Sequence, residues 1–180
     1  MTEQVLHKII TKAGDGGSTN LVYTEVHKSD EIIECIGSID EANSCIGYAR
    51  HELQEELGQY SDILDKVQNN LFDLGADLIC NTEKVGAEYI ANLEQEANKI
   101  NANLAPIKSF IIPKGKEAVL HKARAVVRRA ERDFWRYAKT KGEVNTLPGV
   151  YLNRLSDLLF IMCRAIHNPE QDEELWVRIK

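Results

Sequence analysis

The chain has 180 residues, 43% of them hydrophobic, and a formal net charge of −6 at neutral pH. That length supports one domain with its own core, while the acidic balance excludes general nucleic-acid or anionic-membrane binding, which needs a basic face. Cys35, Cys45, Cys80 and Cys163 lie far apart with no C-x-x-C pair, which argues against zinc and disulfide frameworks and for a reducing compartment.

Residues 11 to 20 read TKAGDGGSTN. Glycine lets backbone N–H groups approach an anion, lysine adds charge, and hydroxyls can ligate phosphate or Mg²⁺. Neither G-x-x-x-x-G-K-[ST] nor G-x-G-x-x-G is present, so spacing alone predicts a flexible turn.

Helical periodicity begins after Ser29-Asp30-Glu31. Ile32, Ile36, Ile39, Ala42, Ile46 and Ala49 recur at three- and four-residue spacing and predict a first helix over about 30 to 56. A second starts near Ser61-Asp62, carries Leu64, Val67, Leu71, Leu74 and Leu78, and ends near Asn81. The third runs from Gly86 to about Ala102 through Ile90, Leu93, Ala97 and Ile100. The proline-bearing stretch NLAPIKSFIIPKG, 103 to 115, is a connector. Leu120, Ala123, Val127, Ala130, Phe134 and Tyr137 mark a fourth helix from Lys116 to about Lys139. Pro148 opens a fifth, through Leu152, Leu155, Leu159 and Met162 to Asn168, where Pro169 stops it. Helices without alternating strands predict an all-α five-helix bundle, with ligand sites between helices or at their ends. The run EQDEEL near the C-terminus reads as a solvated charge run. No run of apolar residues is long enough to span a membrane, and no charged-then-apolar leader opens the chain, so a cytoplasmic protein is expected.

The densest basic cluster is RAVVRRAER, 124 to 132. On a helix Arg128 lies about 40° and Glu131 about 20° from Arg124, which makes one polar stripe flanked by Arg129 and Arg132. Such a stripe suits phosphate recognition, with Glu131 holding a guanidinium or helping to bind Mg²⁺; from spacing alone a solvent-facing stripe of surface ion pairs is the favoured reading. Asn153, Asp157 and Arg164 share a face of the fifth helix. Asp40, Glu41, Asn43 and Ser44 lie beside the apolar row of the first, where Gly37 and Gly47 permit close contact with another helix or subunit. No E-x-x-H pair occurs, and His7, His27, His51, His121 and His167 share no metal-ligand spacing, so all five are read as ordinary histidines.

Taken in order, TKAGDGGSTN, GSIDEANSCIGYAR, FIIPKG, RAVVRRAER and YLNRLSDLLFIMCR resemble the PduO-type ATP:cob(I)alamin adenosyltransferases over about residues 8 to 167. The resemblance implies one adenosyltransferase domain over 1–180, with an ATP-binding segment at 1–28, a helical bundle at 29–168 and a tail at 169–180. It further implies a homotrimer with ATP and corrinoid bound between subunits. Thr11, Lys12, Ala13, Gly14, Thr19 and Lys28 would line the nucleotide from one chain. Arg128, Arg129, Glu131, Arg132 and Asn153 would complete that site from its neighbour. Asp40 and Arg124 would form an inter-subunit ion pair, and Phe110 would occupy the lower face of the corrin. Arg128, Lys12 and Phe110 are the residues expected to carry the reaction: Co(I) attacks C5′ of ATP and triphosphate leaves. Mg²⁺ is implied mainly through the ATP phosphates, protein ligands for it being left open, with K⁺ as a further candidate. A cobalamin reductase and a B12-dependent enzyme are the implied partners. Alternatives are a delivery or sensor protein that binds adenosylcobalamin or ATP with little turnover, and a plain helical interaction module. The chain departs from the pattern at Ala13, at Ala42 and at Lys114, where a second glycine normally follows proline.

Overall fold

The computed structural model describes residues 10–22, 24–167 and 173–178. Residues 1–9 of the N-terminal segment, and the helix stop at Asn168-Pro169, lie outside them. The segment expected to be only a turn folds into a hairpin. Ser18–Leu21 (β1) and Thr24–His27 (β2) pair antiparallel, with Thr19 opposite Val26. β-Branched residues favour the extended pairing, but strands of four residues are too short for their alternation to stand out in a sequence. The expectation of a chain without strands is corrected here.

The hairpin runs directly into the bundle. Asp30 is the extended residue before α1 (Glu31–Glu52), and its carboxylate turns back to accept from the His27 amide at 3.2 Å. The periodic apolar row continues to residue 57, but the helix does not: Leu53 leaves helical geometry at φ −112°, ψ 24°. A short α2 (Gln54–Leu57) and a 3₁₀ turn, Gly58–Tyr60, then carry the chain round. Leu53 and Leu57 remain buried across the break, so burial preserves the pattern while the backbone changes direction. There follow α3 (Ser61–Cys80), α4 (Ala87–Asn101), α5 (Ala118–Lys141) and α6 (Leu147–Ala165). The packing order is α3, α1, α5, α6, α4, with α1 against α5 and α5 against α6 the most extensive contacts.

Two local features fix the ends of these helices. Asp77, buried near the end of α3, closes the turn toward α4 by accepting from Thr82 Oγ1 at 2.5 Å and from the Lys84 and Val85 amides at 3.0 and 2.8 Å. Burial works to raise its pKa, but the hydrogen bonds together outweigh it and hold the carboxyl below its ordinary value. A carboxyl whose folded pKa lies below its unfolded one adds stability above the unfolded pKa, and that stability is lost as pH falls through the folded one. Asp77→Asn is therefore expected to cost about 1–3 kcal/mol at neutral pH. The gap from wild type should narrow below about pH 4. Denaturant melts at both pH values check this; an equal gap at both would show that the charge is not the source.

The second feature is Gly149 in the first turns of α6. A Cβ there would stand 2.7 Å from ring atoms of Phe134 and Trp135, so the helix lies directly on α5. Gly149→Ala is expected to destabilise by about 1–3 kcal/mol through overpacking, seen as a lower denaturant midpoint with an unchanged slope.

Candidate active site

The loop before the hairpin is drawn together by its own backbone. Lys12 and Gly17 adopt positive φ, of 61° and 87°. The Asp15 amide donates to the Lys12 carbonyl at 3.2 Å, Gly17 to Gly14 at 3.3 Å and Lys28 to Gly17 at 2.8 Å. The Lys28 ammonium lies over Gly14, where a Cβ would stand 2.7 Å from Nζ and the lysine would have to shift. Thr11 Oγ1 accepts from the Ala13 amide at 3.4 Å, and Thr19 sits half-buried in the hairpin stem. The structure thus gathers Thr11, Lys12, Ala13, Gly14 and Lys28 into one exposed strap. Lys12 and Lys28 have no carboxylate partner among the described residues. Within a single chain the strap makes no side-chain hydrogen bond to α5 or α6 among those residues.

The buried face of α5 carries Leu120, Ala123, Val127, Ala130 and Phe134, which turns RAVVRRAER outward. Its arginines then part company. Arg129 is ion-paired with Glu41 on α1, and the charge-assisted hydrogen bond raises its pKa further. Arg132 Nη1 donates to the Arg128 carbonyl at 3.0 Å. Glu131, half-buried, accepts from Asn153 Nδ2 of α6 at 3.4 Å, and Arg154 Nη1 donates to Asn153 Oδ1 at 2.9 Å. Arg124, Arg128 and Arg132 form no ion pair with a carboxylate among the described residues, although Arg50, Arg136, Arg154 and Arg164 all do. The surface-ion-pair reading of the stripe therefore holds for Arg129 and not for these three.

Arg124 and Arg128 also line a cavity of about 670 Å³ with Phe110, His121, Phe160 and Trp176. The Arg124 guanidinium carbon lies 5.7 Å from the centre of the Phe160 ring. Its Nε is buried without a hydrogen-bond partner, as is Nδ1 of His121. Burial first, and the Arg124 charge second, hold the His121 imidazole below its ordinary pKa, so it is neutral at pH 7. Phe110 is 80% exposed and Trp176 50%, so the two rings present a patch of aromatic surface at the cavity. His121, Phe160 and Trp176 were not distinguished by the sequence reading. The apolar Leu175-Trp176-Val177 after an acidic run was the available signal for the last.

Asp40 lies elsewhere on the surface. It is exposed, makes no hydrogen bond or ion pair among the described residues, and borders an apolar groove between α1 and α3 with Ile36, Gly37, Phe72 and Ile79. Phe72 is 69% exposed there. Gly47 has the other role expected of a helix glycine, since a Cβ would meet Gln68 of α3 at 2.9 Å.

Unpaired guanidinium groups beside a wide aromatic cavity fit an anion joined to, or held next to, a large flat ligand. A family model for cobalamin adenosyltransferase matches residues 9–166. The chain belongs to that family. Relatives in it include the corrinoid adenosyltransferase of Mycobacterium tuberculosis, 43% identical over 183 residues that cover 95% of this chain and 93% of that protein. That of Bacillus subtilis is 38% identical over 169 residues, 89% and 86% of the two chains. A variant PduO-type ATP:corrinoid adenosyltransferase from Lactobacillus reuteri, complexed with cobalamin and ATP, has the same fold. It superposes with a TM-score of 0.84 at 29% identity over 94% of this chain and 96% of that one. No described helix of this family member is long and apolar enough to cross a membrane.

Proposed function

We propose that this protein transfers the 5′-deoxyadenosyl group of ATP to the Co(I) of a corrinoid, giving the adenosylated corrinoid and triphosphate. Family membership supports the reaction, and the observation that carries its location is the set of unpaired arginines beside the Phe110 cavity. In the step itself the cobalt electron pair forms the bond to C5′, the C5′–O bond breaks, and its electrons leave on the triphosphate. The protein supplies no covalent nucleophile. Arg128 and Lys12, with Lys28, stabilise the charge that grows on the departing oxygen, while Thr11, Ala13, Gly14 and Thr19 shape the strap around the nucleotide. Arg132 and the Glu131–Asn153 pair hold the other side, and Arg129, tied to Glu41, acts through the position of the row. Mg²⁺ would travel with the triphosphate: no trio of His, Cys, Asp or Glu is grouped to hold a metal among the described residues, and Glu131 is the carboxylate within the arginine row.

Within one chain the strap makes no side-chain hydrogen bond to the arginine row among the described residues, so a neighbouring chain's strap would be needed to close on that row. A homotrimer would meet that need. The exposed Phe72, the apolar groove beside it and the unpaired Asp40 and Arg124 support such an interface. The four free cysteines fit a reducing cytoplasm, where a reductase can supply Co(I) and a B12-dependent enzyme can take the product.

The decisive experiment is anaerobic incubation of the protein with a Co(I) corrinoid and ATP, following the spectrum of cobalt alkylation. Catalytic formation of the adenosylated corrinoid is expected. Binding of both ligands with no more than one turnover would favour the delivery reading, and no ATP-dependent thermal shift would sink both.

A further inference from the structure

Phe110 stands on a connector with no regular secondary structure, between prolines at 106 and 113, and its ring is mostly in solvent. A side chain on such a segment is placed only as well as the segment is tied down. The ties are specific. Among the described residues, every hydrogen bond that leaves residues 109–114 goes to residues 174–176 of the tail. The Ile112 amide donates to the Glu174 carbonyl at 2.8 Å, the Trp176 amide to the Phe110 carbonyl at 2.7 Å, and Ser109 Oγ to the Trp176 carbonyl at 2.9 Å. Ile111 and Leu175 form an antiparallel bridge, and Lys114 is ion-paired with Glu174. The Trp176 ring meets Phe110 edge to face, with centroids 6.3 Å apart at 71°.

The tail is in turn anchored to the bundle. Arg164 of α6, whose side chain is only 6% exposed, donates Nε to Glu173 Oε1 at 2.9 Å and Nη2 to the Ala105 carbonyl at 2.8 Å. One guanidinium thus holds the beginning of the connector and the beginning of the tail segment. Lys114, one of the residues that depart from the family pattern, finds its counter-charge in that segment. The acidic run read as solvated is, at Glu173 and Glu174, a pair of attachment points.

We infer that the tail segment, residues 173–178, is the element that positions Phe110, with Glu173 and Trp176 as positioning residues that act through it. This rests on the adenosyltransferase reading and on the role of Phe110 within it. Glu173→Gln weakens the Arg164 anchor, Trp176→Ala removes the lateral support, and Trp176→Phe restores an edge-to-face neighbour. Turnover begun from Co(II) under reductant should fall about tenfold in the first two variants and much less when begun from preformed Co(I), with Trp176→Phe near wild type. In Glu173→Gln the Ile112 amide should exchange faster with solvent, while the melting temperature of the bundle stays the same. In a Phe110→Ala background, Trp176→Ala should add no further loss. Independent, multiplying losses in the double variant would overturn the inference, as would wild-type rates in both single variants or equal losses from the two cobalt states. A wild-type chain that alkylates no corrinoid would instead remove the functional reading, and the positioning role with it.

Discussion

Arg128→Ala is expected to lower adenosyl transfer by a factor on the order of 10²–10³ while leaving the helical content and melting temperature unchanged. The two halves of this expectation have separate causes. Arg128 is exposed on α5, and its side chain has no hydrogen bond or ion pair in the fold among the described residues, so its removal takes nothing from the packed interior. Its charge is available to a ligand because no carboxylate neutralises it among the described residues, in contrast to Arg129, which is paired with Glu41. Triphosphate departure concentrates negative charge on one oxygen, and a fixed guanidinium lowers that barrier without reorganising. Lysine offers a single point charge where arginine offers a planar fork, so Arg128→Lys should recover only part of the rate. Steady-state kinetics at saturating ATP check the assignment: undiminished kcat in Arg128→Ala would remove Arg128 from the chemistry.

The contrast between Arg128 and Arg129 also shows what could be read from the sequence. The helices were legible because their apolar residues repeat at the helical period, and Leu120, Ala123, Val127, Ala130 and Phe134 do face the core. The same signal overshot at α1, because Leu53 and Leu57 keep the period through a backbone break that only φ and ψ reveal. The order of motifs was enough to name the family. Pairing between distant residues was not legible: nothing local distinguishes Arg129, which is bound to α1, from Arg128, whose side chain has no partner among the described residues, and nothing marks Glu173 as the partner of Arg164. The hairpin was hidden for another reason. Its strands are shorter than the window in which alternation can be recognised, and its glycines and hydroxyls describe a turn equally well.

The second large effect is expected at Phe110. Phe110→Ala should impair turnover severely when the reaction begins from Co(II) under reductant, and far less when Co(I) is supplied preformed. The argument is one of access to the metal. A phenyl ring at the lower face offers no lone pair, so a cobalt above it keeps that axial position empty, and an ion without an axial donor accepts an electron more readily. Alanine leaves room for water or for the corrinoid's own base to return, which stabilises Co(II) against reduction. Once Co(I) has formed it has little affinity for an axial ligand, and on the proposed reading the attack on C5′ then depends on the arginine row and the strap. Stability should not confuse the result, since Phe110 is 80% exposed and its ring contact among the described residues is the edge-on one with Trp176. The measurement is a paired assay of one variant from both cobalt states, together with the electronic spectrum of bound Co(II). Equal losses from the two starting states, or a Co(II) spectrum identical to wild type, would show that the ring serves only to bind the corrin and does not set its reduction.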